Sequence, residues 1–236
     1  MKILYIEPYY DGSHKQWIDS YSKYSDHSID IISLKASKWK WRMHGGAITL
    51  AKEYDSLTEE YDLLLCSDFL NLPVFMSISK KKFDKTPIVM YFHENQVSYP
   101  WSPKDNDIKL NRDFHYFYIN QTSSLASNWN LFNSEYHLNS YLDGLKEYLC
   151  KMPDNKNIET IDQIRDKSTV LYLGCDLKKF NDDLTHQLQL MRSRMATLSQ
   201  SWRDQEQRKF EKEFDFTIKA MDRFTKASAE QIPTRW

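Results

Sequence analysis

Six short apolar runs between Lys2 and Leu173 most strongly constrain what this chain can fold into. They are Lys2–Ile6, Ser28–Leu34, Asp62–Cys66, Pro87–Phe92, Asn128–Phe132 and Thr169–Leu173. Their Ile, Val, Leu and Tyr residues mostly do not alternate with polar ones, which is typical of strands buried on both faces. Helix-like stretches separate them: Lys15–Tyr24, Ala47–Leu57, Leu72–Lys81, Asp107–Ser127 and Ser134–Leu149. This order predicts an α/β fold with a doubly wound, mostly parallel sheet.

The pattern changes after Phe180. Two sets of apolar residues recur there at intervals of three and four, the spacing of amphipathic helices. They are Leu184, Leu188, Met191, Met195, Leu198 and Trp202, then Phe210, Phe214, Thr217, Met221 and Phe224. We therefore predict a Rossmann-like domain over residues 1–180 and a helical hairpin over 181–236, broken around Ser201–Asp204.

Composition narrows the class of protein. The 236 residues are 41% hydrophobic and carry a formal net charge of -1. This balance predicts a globular core and argues against binding of polyanions over the whole surface, while a local basic patch stays possible. Cys66, Cys150 and Cys175 are far apart, which fits a reduced, cytoplasmic protein. No apolar run has the length that a bilayer requires, so no membrane association is expected.

Four polar residues, His93-Glu94-Asn95-Gln96, directly follow the apolar run that ends at Phe92. Ligands bind just beyond the carboxyl ends of parallel strands, and such side chains are costly to bury without partners. We interpret His93 as a donor to a substrate hydroxyl or phosphate and Glu94 as an acceptor or electrostatic stabiliser. The alternative is a cluster that satisfies loop backbone. Val97 stands where a HExxH zinc motif needs histidine, and no carboxylate pair like DxD appears at a predicted strand end, so no metal is predicted.

Gly12-Ser13-His14-Lys15 follows the first predicted strand. Glycine allows a close backbone approach, the start of the next helix offers free N–H groups to a phosphate, and His14 and Lys15 add positive charge. Neither GxGxxG nor GxxxxGK[ST] is present. The alternative is an ordinary strand-to-helix turn capped by Ser13.

Cations alternate with tryptophans in Lys38-Trp39-Lys40-Trp41-Arg42. Alternation predicts that the cations share one side, where they meet phosphates, while the indoles stack on a base or pack on the sheet. The alternative is a strand extension with a solvated cationic face and two core tryptophans. A further stretch, Arg112 to Tyr116, either lines the crevice or forms a buried aromatic helix.

Several segments together resemble the tRNA-queuosine mannosyltransferase family. They are EPYYDGSHKQ (7–16), KWKWR (38–42), Asn71-Leu72, YFHENQVSYP (91–100) and Arg112-Asp113-Phe114. The resemblance covers about residues 1–180. It implies a two-domain GT-B enzyme that transfers mannose from GDP-mannose to queuosine in a tRNA anticodon, with GDP-mannose as co-substrate and no other cofactor.

The resemblance also implies roles for the three motifs. His93 and Glu94 are expected to be catalytic, His93 at the sugar and Glu94 near the positive charge that develops at the anomeric carbon. Donor binding is expected from Gly12, Ser13, His14, Lys15, Asn95 and Gln96. tRNA binding is expected from Lys38, Trp39, Lys40, Trp41 and Arg42, by phosphate contacts and base stacking.

VLYLGCDLKKF (170–180) resembles the strand and turn that open the second GT-B domain, yet two helices follow. The second domain is therefore expected to be absent. This leaves open a non-catalytic RNA- or protein-binding module, and also a nucleotide-dependent enzyme of another kind on a flavodoxin-like sheet. It also leaves open a homodimer through an exposed interdomain face or the helical tail.

Overall fold

The computed structural model describes residues 1–100, 115–174, 177–202 and 205–230. The chain divides into two compact units, Met1–Leu173 and Gly174–Trp236. The first unit contains β1 Lys2–Tyr10, α1 Gly12–Tyr24, β2 Ser28–Lys35, α2 Trp39–Ser56, β3 Leu63–Ser67, α3 Leu72–Ile78, β4 Ile88–Phe92, α4 His115–Ala126, β5 Trp129–Phe132, α5 Glu135–Cys150, α6 Thr160–Asp166 and β6 Ser168–Val170. The second contains α7 Leu177–Ser201 and α8 Gln205–Glu230.

The six strands form one sheet in the order β2-β1-β3-β4-β5-β6, and every pair is parallel. This confirms the predicted α/β class. The strand order reverses between β1 and β3, which is the place where open parallel sheets bind ligands. Ile6 pairs with Cys66, and Cys66 pairs with Met90. Ile6, Cys66 and Met90 therefore lie side by side, and the chain beyond them leaves β1, β3 and β4 at the same edge of the sheet, with β1 continuing to Tyr10.

Helices cover both faces of the sheet. Successive residues of β1 point to opposite sides: Leu4 and Ile6 belong to the larger core cluster, whereas Ile3 and Tyr5 belong to a second cluster. The larger cluster also contains buried side chains of α2, α3 and α5, and the second contains Ile18 of α1. Burial on both faces explains why the strands read as continuous apolar runs.

Helix α2 begins at Trp39, eight residues before its predicted start at Ala47. Lys38, in the left-handed conformation with φ 49°, ends the preceding segment. Met43, Gly46, Ala47 and Leu50 are buried at helical spacing, which favours continuation of the helix toward its amino end. The tryptophan-rich run is therefore helical, and its interpretation as a strand extension was wrong.

The second unit pairs α7 with α8. An ion pair joins Arg192 to Asp222, and the Ser199 hydroxyl donates to Glu211 over 2.6 Å. These contacts confirm the two carboxyl-terminal helices that the apolar spacing predicted. Among the helices of the described residues, none combines the length and the apolar character that crossing a bilayer requires.

Candidate functional site

The two strand-end motifs meet at one edge of the sheet. The ring centroids of His14, at the start of α1, and His93, after β4, are 4.2 Å apart. A cleft of about 510 Å³ opens at this edge. Its lining residues are Tyr9, Asp11, Gly12, Ser13, His14, Trp39, Phe69, Glu94, Gln96, Tyr99 and Pro100. Parallel strands that end at a common edge thus bring together residues that are some eighty positions apart in sequence.

Glu7, which no pattern singled out as a site residue, lies fully buried beneath this cleft. Its carboxylate accepts hydrogen bonds from the hydroxyls of Tyr5 and Ser67 and from the backbone N–H of Tyr9, each 2.8 Å long. Nδ1 of His14 lies 3.0 Å from the same carboxylate. Four partners satisfy both oxygens, which is how a protein interior retains a carboxylate.

His14 is held as a cation. Burial alone would lower its pKa, but the hydrogen bond and charge of Glu7, with the charges of Asp68 and Glu94, raise it to about 9. Nδ1 is engaged by Glu7, and no described residue bonds to Nε2. His14 lines the cleft, so its Nε2–H is the donor left for a ligand.

His93 is held neutral. Burial, reinforced by the charges of His14 and His137, moves its pKa well below the ordinary range. The single hydroxyl proton of Tyr5 goes to Glu7, so the 3.2 Å contact between Tyr5 and His93 needs the proton on Nε2 of His93. A chain of hydrogen bonds therefore connects the two histidines through Tyr5 and Glu7.

The ring of His93 lies behind that of His14. It packs edge-on against Trp17, at 5.1 Å between centroids, and against Tyr91, at 4.7 Å. The cleft lining contains His14 but not His93. His14 is thus the imidazole that lines the cleft, with His93 packed behind it, and the contact of His93 with the sugar stays a prediction.

Asp68 is a second buried carboxyl that the sequence pattern missed. Burial raises its pKa to about 8, with Glu94 and Glu7 adding to the rise and His14 opposing it. One of its oxygens accepts the backbone N–H of His93 over 3.0 Å. The available signal was its place directly after β3, at the same sheet edge as the two motifs.

Glu7, His14 and His93 each offer a ligand atom within 4.8 Å of the others, a spacing compatible with a metal ion. The carboxylate of Glu7, however, already accepts three hydrogen bonds besides the contact with His14. Binding a cation there would displace these donors. The arrangement favours a proton-bearing network, and we assign no metal to it.

Glu94 and Gln96 form the other polar wall of the cleft. Gln96 donates from Nε2 to Oε1 of Glu94 over 3.1 Å, and its own backbone N–H donates to Asn120 over 2.9 Å. Burial raises the pKa of Glu94, partly offset by the charge of His14 and the bond from Gln96. A partly desolvated carboxylate is thus held in place beside the imidazolium.

The side chain of Asn95 forms hydrogen bonds within its own loop. Its Oδ1 accepts from the backbone N–H of Val97 and Ser98, at 3.0 and 2.8 Å, and its Nδ2 donates to the Ser98 hydroxyl. Asn95 is buried and does not line the cleft. These contacts agree with the alternative of a side chain that satisfies loop backbone, and the donor-binding role of Asn95 stays a prediction.

Comparison with known proteins identifies the family to which the chain belongs. A family model described as tRNA-queuosine alpha-mannosyltransferase N-terminal matches residues 2–175, which include both motifs of the cleft. The chain belongs to this family. It is similar to the tRNA-queuosine alpha-mannosyltransferase of Drosophila melanogaster, with 34% identity over 179 residues. That match covers 75% of this chain and 46% of the relative, so the chain spans about half the relative's length.

Within this family domain, the turn before α1 is only partly as predicted. Gly12 has φ 53°, a conformation that favours glycine, and it lines the cleft with Ser13. Asp11 caps the helix by accepting the N–H of Gly12 over 2.8 Å, so Ser13 is not the cap. The ammonium of Lys15 pairs with Asp19 and lies outside the cleft lining, and its donor-binding role stays a prediction.

The two tryptophans of the basic run point to different environments. Trp39 is half-buried in the cleft wall, 5.1 Å from the ring of Tyr116, whereas Trp41 is 65% exposed. The aromatic neighbours Tyr9 and Phe69 complete this wall, with stacked rings 5.3 Å apart. No sequence pattern indicated Tyr9 or Phe69 as site residues, since aromatic residues at strand ends are usually part of the core.

The cations of this run do not share one side, because the run is helical. Lys40 lies over the Trp39 ring at 5.6 Å, and Arg42 donates from Nε to the Lys35 carbonyl over 3.1 Å. Lys38, one turn before Arg42, is exposed. The prediction of a single cationic side was therefore wrong, since it assumed a period of two where the backbone has 3.6.

Of the stretch from Arg112 to Tyr116, the residues Arg112, Asp113 and Phe114 lie outside the described residues. His115, the first residue of α4, is exposed, with its ring 5.2 Å from that of His44.

Gly144 of α5 packs closely against Val97, which follows the polar residues His93 to Gln96. A Cβ at this position would lie 2.3 Å from Cγ1 of Val97, the residue after Gln96. We expect Gly144→Ala to lower the free energy of unfolding by about 1–2 kcal/mol, because the overlap outweighs the gain in helix propensity. Adding Val97→Ala should restore most of the loss in urea unfolding. Full stability of the single variant would contradict the close contact.

Proposed function

We propose that this chain is the amino-terminal, acceptor-binding part of a glycosyltransferase that adds mannose from GDP-mannose to queuosine in tRNA. The observation that carries the proposal is that both polar motifs meet at one cleft within the family-matched residues 2–175. The activity of the complete protein, its donor and its cytoplasmic location are all part of the proposal.

The cleft offers complementary groups to the two substrates. In this proposal, the start of α1 at Gly12 and Ser13 and the Nε2–H of His14 meet the donor diphosphate, since helix amino ends and imidazolium groups both attract phosphate. Glu94, fixed by Gln96, is placed near the positive charge that develops at the anomeric carbon. No metal ion is assigned a role.

Mass spectrometry of the tRNA tests transfer directly. The chain is incubated with GDP-mannose and tRNA that carries queuosine, and the expected product is heavier by one hexose. The same tRNA with guanosine at that position is the matched control and should stay unchanged. No gain with the queuosine tRNA would contradict the transfer reaction for this chain.

A second candidate is a non-catalytic module that binds RNA or a partner protein. It is favoured by the length of the match, since the family model ends at residue 175 and two helices follow. Its signature is salt-dependent binding of tRNA without hexose addition. Family membership favours either of these functions over a nucleotide-dependent enzyme of another kind.

The basic start of α2 is proposed to contact tRNA phosphates. We expect Lys38→Ala with Arg42→Ala to weaken tRNA binding and to lower the slope of log affinity against log salt by about 1 for each lost contact. Lys52→Ala, an exposed lysine of the same helix, is the control and should have little effect. Unchanged affinity and slope in the double variant would remove this surface from the proposal.

A further inference from the structure

Glu94 is a half-buried carboxylate that has no cation of its own among the described residues. The nearest imidazolium, His14, is already paired with Glu7 at 3.0 Å. Lys15, on the same helix as His14, is paired with Asp19. A carboxylate that has lost part of its hydration gains stability from a cation that a ligand brings. The wall of the cleft at Glu94 therefore suits a positively charged group.

The carboxylate is also fixed in position. Its Oε1 is held by Gln96, which is only 6% exposed and is itself held by Asn120 through a 2.9 Å hydrogen bond. Asn120 is fully buried and donates to the backbone carbonyl of Asp68 over 2.8 Å. Within the described part of the chain, Oε2 of Glu94 has no partner. One oxygen thus anchors the group, and the other is available to a ligand.

The wall beside Glu94 is aromatic. The rings of Tyr9 and Phe69 stack at 5.3 Å and 21°, and Trp39 meets Phe69 edge-on at 6.3 Å. All three line the cleft. Such a surface accepts a flat heterocyclic ring by stacking, and the face of tryptophan also attracts cations. A flat ring that carries a positive substituent satisfies both features.

We propose that Glu94 binds the protonated secondary amine of queuosine while the nucleobase lies against Tyr9, Trp39 and Phe69. This inference rests on the proposed function. Queuosine is a 7-deazaguanosine whose side chain links an amine to a cyclopentenediol, and guanosine lacks that amine. Glu94 is therefore a specificity-determining residue: it accepts the ammonium that distinguishes the modified base from the unmodified one.

Two tRNAs that differ only in queuosine or guanosine at one position test this assignment. The wild-type chain should bind the queuosine tRNA roughly 10- to 100-fold more tightly, the usual worth of a hydrogen bond to a charged group. Glu94→Gln should reduce this preference to nearly one and leave affinity for the guanosine tRNA unchanged. Because burial raises the pKa of Glu94, the fold should tolerate a neutral glutamine. Glu53→Gln, an exposed carboxylate of α2, should keep the full preference.

Equal wild-type affinities for the two tRNAs would overturn the assignment. So would a full preference in Glu94→Gln, or a loss of affinity for both tRNAs alike. Failure of hexose transfer is a separate outcome: if the preference exists and depends on Glu94, the binding assignment stands while the transfer reaction fails.

Discussion

Replacing Glu7 by glutamine is expected to lower the pKa of His14 from about 9 to 6.5 or below, and to lower the free energy of unfolding by roughly 3 kcal/mol at neutral pH. Glutamine keeps the shape of the side chain but removes the charge that holds the buried imidazolium. NMR titration of the His14 ring gives the pKa, and urea unfolding gives the stability.

The direction of the pH dependence follows from the raised pKa. The stabilisation from charged His14 is complete below pH 6.5, the ordinary value, and is lost as pH rises through about 9. Besides Glu7, the carboxyls of Asp68 and Glu94 and the neutral ring of His93 face this group. In Glu7→Gln, with the pKa of His14 at 6.5 or below, the ring is mostly neutral at pH 7.5. The variant should therefore lack this stabilisation at pH 7.5, where the wild-type chain still has it.

Tyr5→Phe is the matched control for this experiment. It removes a hydrogen bond to Glu7 and the contact with His93 but leaves the 3.0 Å pair between Glu7 and His14. The pKa of His14 should stay near 9 in this variant. A pKa near 9 in Glu7→Gln would show that Glu7 does not hold the charge of His14.

Truncating Phe92 is expected to have an equally large effect on stability. Its ring is fully buried, stacks on Phe132 at 4.6 Å, and lies 5.4 Å from the ring of Tyr141. Phe92→Ala leaves a cavity directly beneath the polar loop that begins at His93. We expect a loss of about 3–5 kcal/mol in the free energy of unfolding.

Phe216→Ala provides the comparison, because this phenylalanine of α8 is 70% exposed. Its loss should stay within about 0.5 kcal/mol. Urea unfolding followed by near-ultraviolet circular dichroism reports both variants. A similar small loss in the two would mean that Phe92 does not belong to a tightly packed core.

The fold was largely predictable because its signals are local. Strands buried on both faces leave unbroken apolar runs, and all six predicted runs overlap observed strands. The start of α2 was not predictable in this way. Trp39 to Arg42 alternate in charge, which resembles a strand, and only the burial of Met43, Gly46 and Leu50 favours the helix.

The meeting of the two motifs was predictable because parallel strands end at a common edge. The network beneath them was not. Glu7 comes directly after the predicted run Lys2–Ile6, within the observed strand β1, and the partner that holds it, Ser67, is sixty residues away. Which histidine faces the ligand also depends on three-dimensional packing, since His14 and His93 both follow strand ends.

The central claim is that the turn at Gly12–His14 and the loop at His93–Gln96 form one ligand cleft. NMR spectra of the backbone amides during titration with GDP-mannose test it most directly, because the proposed donor contacts both segments. The amides of Ser13 and of Glu94 or Gln96 should shift together, with a single dissociation constant, while those of α8 stay unchanged. Shifts confined to one segment, or different dissociation constants for the two, would contradict it.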